Sequence, residues 1–212
     1  MNDGDIGSTT IDRFLDTLAS EAATPGGGAV AALCGAAGAA LISMVCRLTI
    51  GREAYEDVEQ KMREYLDDAD AARPEFLELA DRDARAFDAV MAAFKMPRDD
   101  DRQKAERSAA IQRAYEGAAR VPLEVARRAV ELMVLARATT EAGNANAASD
   151  GLSAAHTLHA GAHGAIANVE INAAGLKNES VAGELRSEVD TLKGRADELL
   201  SETRSAFAAR IA

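Results

Sequence analysis

Apolar positions three and four apart run through most of the chain, the spacing of amphipathic helices. Ile11, Phe14, Leu15 and Leu18 share one face of a helix predicted over about Thr10–Glu21, with Ser8 or Thr9 available as its cap. The break Thr24-Pro25-Gly26-Gly27-Gly28 ends it, and the pattern then changes. From Ala22 to Cys46 there is no charged residue, and the larger apolar groups are few: Val30, Leu33, Leu41, Ile42, Met44 and Val45. A third helical region is predicted from about Glu53 to Phe94, with a kink or restart near Arg73 because Pro74 follows. Met96–Asp101 reads as a turn with acidic caps for a helix through about Arg120, and Pro122 opens another that ends near Thr140. Glu141–Asp150 is a loop, Ser149 or Asp150 caps a helix to about Ala174, and Gly175–Ser180 breaks it. Leu185, Val189, Leu192, Ala196 and Leu199 then mark an amphipathic final helix. The pattern predicts a single all-α domain of about seven helices, with residues 1–9 flexible.

The uncharged stretch is long enough to cross a bilayer, but its content argues against that. Alanine and glycine dominate it, and Ala31, Gly35 and Ala39 form a stripe of small residues at i, i+4 and i+8. It reads as a buried soluble helix against which others approach closely. Such a helix needs cover on all sides, and a homo-oligomer is a ready way to provide it.

Composition agrees. The 212 residues include 48 alanines against 16 glycines and 4 prolines, and only 4% are aromatic, so a β-sandwich or barrel is disfavoured. The 19 arginines and 5 lysines face 35 acidic residues, for a net charge of −11 without any long basic tract, which argues against nucleic-acid binding. Cys34 and Cys46 fall about 18 Å apart along one helix, too far for a disulfide, and read as buried thiols. The acidic N-terminus lacks the order of a signal peptide, which makes the cytoplasm the expected location.

Four places can carry chemistry. Pro25, Gly26, Gly27 and Gly28 expose backbone N–H groups at a helix start, where an anion can dock; a tight bend for close packing is the plainer reading. In the Leu79–Phe87 segment a helix puts Asp83 and Phe87 on one face while Asp81 points elsewhere. Desolvation would raise the Asp83 pKa toward acid–base work; alternatively this is a solvated face with an Asp81–Arg85 pair. Gly143, Asn144, Asn146 and Asp150, with Asn168 and Asn172 on the next helix, offer amides either to neighbouring backbone or to the edge of a heterocycle. His156, His159 and His163, the only histidines, share one helix face at a spacing that can hold a metal, but no carboxylate or thiol lies in the same stripe, and a surface or oligomer interface is the alternative.

These segments together resemble the cyclodeaminase domain of formiminotransferase-cyclodeaminase and the related methenyltetrahydrofolate cyclohydrolases. The resemblance rests on TPGGGAVAALCGAAGAAL at Thr24–Leu41, DRDARAFDAVMAAFKMP at Asp81–Pro97, VPLEVA at Val121–Ala126, GNANAASD at Gly143–Asp150 and NVEIN at Asn168–Asn172, in that order. It implies an all-α homodimer that takes a tetrahydrofolate derivative near the subunit contact. It also implies that Asp83, second acid of the Asp-x-Asp pair, is catalytic. The Pro25–Gly28 turn and the Asn-rich loop, with Asn168 and Asn172, would line the folate pocket. Two departures stand out: Ala29 replaces a serine common in relatives, and of the lysines usual after the buried helix only Arg52 remains. Attraction for the folate glutamate tail would then be weaker, or come from Arg47 or Lys95. The histidine stripe matches no family motif.

The implied chemistry centres on the carbon bridging N5 and N10 of tetrahydrofolate. A cyclohydrolase adds water to 5,10-methenyltetrahydrofolate and opens it to 10-formyltetrahydrofolate. A cyclodeaminase closes a formimino group onto N10 and expels ammonia. Either needs a group that takes a proton from a nucleophile and returns one to a departing nitrogen; Asp83 is expected to do both, without metal or redox cofactor and with no cofactor beyond the folate substrate. The chain shows no formiminotransferase domain, which favours the cyclohydrolase. A non-catalytic helical oligomerisation module is the alternative from another class.

Overall fold

A computed structural model describes residues 5–212. Six α-helices succeed one another: α1 (Ile11–Leu18), α2 (Gly27–Thr49), α3 (Glu59–Phe94), α4 (Asp101–Ala142), α5 (Ala148–Ala173) and α6 (Glu179–Ile211). Short 3₁₀ turns at Ile6–Ser8, Glu53–Val58 and Ala145–Ala147 connect or precede them, and there is no strand among the described residues.

The tertiary contacts fix the direction of each long helix. Gly28 meets Asp83, Gly35 meets Phe76, and Ser43 donates to Asp70, so α3 runs antiparallel to α2. Arg82 pairs with Glu124 while Arg128 reaches back to Glu75, which turns α4 antiparallel to α3. Asn172 donates to the Ala118 carbonyl and Gly151 abuts Thr140, so α5 reverses again. His159 and His163 meet Asp197 on α6, and Arg127 and Arg137 of α4 pair with Glu188 and Glu202. The long helices therefore form an up-and-down bundle, with α2 against α3 and α5.

Missing side chains allow this packing. A Cβ on Gly35 would lie 2.5 Å from Phe76 Cδ1, and one on Gly38 would lie 2.5 Å from Leu158 Cγ. Gly161 of α5 in turn lies under the Ala31 carbonyl. The larger core groups come from the neighbours: Phe76, Met62, Leu132, Met133, Leu158 and Leu199 are all fully buried. Cys34 and Cys46 are unpaired, and burial pushes the Cys46 thiol up to about 12.

The chain uses fewer, longer helices than the pattern suggests. Pro74 lies inside α3 and Pro122 inside α4, so neither begins a new element. A helical proline forfeits one backbone hydrogen bond. Around Pro74 that loss is offset by burial on both sides, of Met62, Ala69 and Ala72 before it and Phe76, Leu79 and Ala80 after it. Pro122 is itself buried, between Val121 and Leu123. The first helix is shorter than expected, capped by Thr10, and its apolar face is only partly used: Ile11 and Leu15 are exposed while Phe14 and Leu18 are half-buried. Residues 1–4 of the segment expected to be flexible lie outside the described residues, and Ile6–Ser8 forms an ordered turn against α3. The uncharged stretch becomes helical only from Gly27, and α2 is the one helix of the described residues long and apolar enough to cross a membrane. Packing on α3 and α5 gives it the environment of a core helix.

Two glycine substitutions should move stability in opposite directions. Gly35→Ala forces the Phe76 ring to shift and should cost about 1–3 kcal/mol. Gly183, inside α6 with nothing within 4 Å of a new Cβ, should gain up to about 1 kcal/mol as alanine. Urea midpoints at unchanged m-value measure both.

Candidate active site

The Pro25–Gly28 turn follows a cis Thr24–Pro25 peptide bond, and extended Gly26 caps α2 through its carbonyl, which accepts from the Val30 N–H. The first turn of α2 thus presents N–H groups without helical partners. Asp83 on α3 lies directly against it. A Cβ on Gly28 would sit 2.5 Å from the Asp83 Cγ, so the carboxyl group occupies space that any residue but glycine would fill. Asp83 is half-buried and its carboxylate has no hydrogen-bond or ion-pair partner among the described residues, and burial raises its pKa above the ordinary aspartate value. Desolvation makes this unpaired carboxylate hold its proton more tightly than an exposed aspartate, while the positive end of α2 beside it favours the ionised form.

Asn168 joins the same end of the bundle. Its Nδ2 lies 3.7 Å from where a Gly27 Cβ would stand and donates to the Gly164 carbonyl at 2.8 Å. One turn on, Asn172 donates to the carbonyls of Ala118, at 3.1 Å, and Asn168, at 2.8 Å. Asn172 thus spends both amide N–H groups on backbone and Asn168 one of its two, leaving both Oδ1 atoms as acceptors. Phe87, Met91 and Phe94 continue the Asp83 face along α3 and stay partly exposed, and Ile171 of α5 is 72% exposed. Only Phe87 of this apolar shelf was singled out from the sequence; Met91 and Phe94 follow at helical spacing and were legible in the same way.

The Asn-rich loop lies elsewhere. The Asn144 N–H donates to Thr49 Oγ1 at 2.9 Å, its Nδ2 to the Leu48 carbonyl at 2.8 Å, and its Oδ1 accepts from the Asn146 N–H. The Ala145 N–H donates to the Tyr55 hydroxyl. Asn144 therefore fastens the C-terminal end of α2, and Gly143 wedges between Thr139 and Val45 beside it. Asn146 is exposed and Asp150 half-buried in the first turn of α5. The eighteen helical steps of α5 from Asp150 to Asn168 put about 27 Å between this loop and the Asp83 end. Within one chain Gly143, Asn144, Asn146 and Asp150 do not share a pocket with Pro25, Gly26, Gly27, Gly28, Asp83, Asn168 and Asn172.

The Asp81–Arg85 pair weighed from spacing does not form. Asp81 accepts from the Ile6 N–H at 3.0 Å, and burial with the nearby Asp5 raises its pKa. It faces a cleft of 820 Å³ lined in part by Pro25, Phe14, Arg85 and Asp88; Asp83 is not among the lining residues. Of the cations proposed for a folate tail, Arg47 is held by Asp70 at 2.5 Å, whereas Arg52 and Lys95 end their segments at exposed positions. His159 and His163 both approach Asp197 of α6, a carboxylate that the stripe itself does not contain; His156 stays apart.

Residues 10–191 match the family model for formiminotransferase-cyclodeaminase. The chain belongs to the formiminotransferase-cyclodeaminase family. It is 43% identical to a methenyltetrahydrofolate cyclohydrolase of Methylorubrum extorquens over 91% of this chain and 93% of that one. It is 36% identical to the formimidoyltransferase-cyclodeaminase of Sus scrofa over 84% of this chain but only 33% of that longer protein. The crystal structure of formiminotetrahydrofolate cyclodeaminase from Thermotoga maritima superposes with a TM-score of 0.88 at 29% identity, covering 98% of this chain and all of the other. The bundle is therefore a fold of this family from end to end.

Because the folded pKa of Asp83 lies above its unfolded value, the folded protein holds that proton more tightly. Stability from this group is present at low pH and lost as pH rises through the folded pKa. Asp83→Asn should therefore melt higher than the parent at neutral pH, and the difference should vanish in acid. Melting temperatures across pH 4–8 (about that window) test it, and a variant less stable at neutral pH would contradict an unpaired, desolvated carboxylate.

Proposed function

We propose that this protein is a methenyltetrahydrofolate cyclohydrolase, hydrolysing 5,10-methenyltetrahydrofolate to 10-formyltetrahydrofolate. The observation that carries the reading is Asp83, raised in pKa by burial and set against the glycine turn, in a chain alike along nearly its whole length to a cyclohydrolase. Asp83 takes a proton from water as its oxygen bonds to the bridging carbon. The tetrahedral carbon then collapses to a formyl group on N10, the carbon–N5 bond breaks, and N5 receives a proton from Asp83. The second proton of the water leaves to solvent, balancing the positive charge of the substrate. The Asn168 and Asn172 carbonyl oxygens accept from pterin N–H groups, and Phe87, Met91 and Phe94 offer a surface for the flat ring. Neither a metal nor a redox cofactor is needed for these steps. The two unpaired thiols suit a reducing, cytoplasmic setting.

A second copy completes the site. Ala37, Ala40, Met44 and Leu48 leave one face of α2 open to solvent, with Met44 at 38% and Leu48 at 39% exposure. Antiparallel packing of two such faces about a two-fold axis would carry the partner's Asn-rich loop toward the Asp83 end, the opposite end in its own chain. Met44→Glu should then yield a folded monomer by light scattering, with activity lost.

The test of the reaction is loss of the near-ultraviolet absorbance of 5,10-methenyltetrahydrofolate against a buffer blank. Acceleration should fall about a hundred- to ten-thousandfold in Asp83→Asn, with helicity retained. The second reading, formimidoyltetrahydrofolate cyclodeaminase, is favoured by the likeness to the Thermotoga maritima structure. Ammonia release from 5-formiminotetrahydrofolate without hydrolysis of the methenyl compound would select it. Inactivity on both would leave a helical oligomerisation module.

A further inference from the structure

The histidines of α5 do not take part in the chemistry above, yet they are organised. His159 and His163 stand at i and i+4, so both imidazoles project from one face of α5. Their ring centroids are 4.2 Å apart, tilted by 33°. Both Nε2 atoms point at one oxygen of Asp197 on α6, at 2.7 Å and 3.0 Å. The three side chains each offer one ligand atom, all within 4.8 Å of one another. The histidine side chains are 24% and 30% exposed and Asp197 57% exposed, so the group opens to solvent on one side. The sequence alone hid this convergence, because the carboxylate lies more than thirty residues from the imidazoles.

We propose that His159, His163 and Asp197 form a binding site for a divalent transition-metal ion of the zinc class, bridging α5 to α6. Two imidazole nitrogens and one carboxylate oxygen suit Zn²⁺, Co²⁺, Ni²⁺ or Cu²⁺ better than Mg²⁺ or Ca²⁺, which want oxygen ligands alone. Metal–ligand bonds of about 2.0–2.1 Å in a tetrahedron set donor atoms about 3.3 Å apart. The two imidazole-to-carboxylate separations, 2.7 Å and 3.0 Å, are shorter than that, and rotation of the exposed Asp197 side chain widens them. Water completes the coordination from the solvent side. The imidazoles hold Asp197 ionised, pulling its carboxyl below the ordinary aspartate range, chiefly through the hydrogen bond from His159. His156 is not a ligand, because it is absent from the cluster. The ion would clamp α6 to the helix that carries Asn168 and Asn172, without entering the folate chemistry.

The experiment uses the full-length, tag-free protein after treatment with a chelator. Titration calorimetry with Zn²⁺ should give one ion per chain, and Co²⁺ should give visible absorption bands of a low-coordinate nitrogen–oxygen site. At a hundredfold excess over the dissociation constant the melting temperature should rise by about 5–10 °C. His159→Ala/His163→Ala should abolish binding and the rise, Asp197→Asn should weaken both, and His156→Ala should change neither. Circular dichroism checks that each variant folds; Asp197→Asn keeps the size of the side chain and serves where the alanines do not fold. Absence of stoichiometric binding by the parent, or binding that persists in the histidine variants, for example at the Cys34 thiol, would overturn the site.

Discussion

The close approach of backbones along α2 is the constraint to which the other features answer. A helix built of alanine and glycine has little side-chain volume of its own, so burial comes from what its neighbours push into it: Phe76 over Gly35, Leu158 over Gly38, Asp83 over Gly28. Dispersion at such short range is collectively large, and it sets α3 and α5 at fixed height along α2. That height places Asp83 and Asn168 at the same end. The carboxylate is desolvated by the same approach that packs the core, so the packing and the raised carboxyl pKa have one physical origin.

Polar contacts then fix the register of the outer helices. Arg82 meets Glu124 through two hydrogen bonds of 2.7 Å and 2.8 Å, and Arg128, with a side chain 17% exposed, gathers Asp68, Glu75 and Glu131. Partly exposed pairs such as Arg82–Glu124 contribute modestly to stability. Their value is geometric: Arg82–Glu124, Arg128–Asp68 and Arg128–Glu75 each join α4 to a particular turn of α3, while Glu131 braces Arg128 from within α4. Arg127–Glu188 and Arg137–Glu202 do the same between α4 and α6.

The helical class, the long uncharged core helix and the final helix were legible because local spacing specifies them; Leu185, Val189, Ala196 and Leu199 are all buried as the pattern requires. The prolines misled because their cost is local while the burial that offsets it comes from packing on α2 and α5. Asp83 was marked by its motif and by Phe87 one turn away, but its desolvation depends on Gly28, more than fifty residues earlier. For Asn168 and Asn172 the reading as backbone partners is the one the fold realises, with each nitrogen bonded to a carbonyl of a helix. Asn144 reads as a ligand residue in sequence and serves in the fold as a fastener of α2. Asp197 was invisible as a partner of the histidines because helix spacing says nothing about a neighbouring helix.

The glycine seam also has a hereditary consequence. Every single-nucleotide missense change in a glycine codon introduces a side chain, never a smaller one. At Gly35 and Gly38 even the smallest of these, a methyl group, would fall within 2.5 Å of an atom of Phe76 or Leu158. These positions cannot drift one neutral step at a time; a change there must wait for a smaller partner to arise first across the seam. Gly183 and Gly194, which face open space, carry no such condition. Descendants of this chain should therefore diverge quickly on α6 and slowly, and in pairs, along α2.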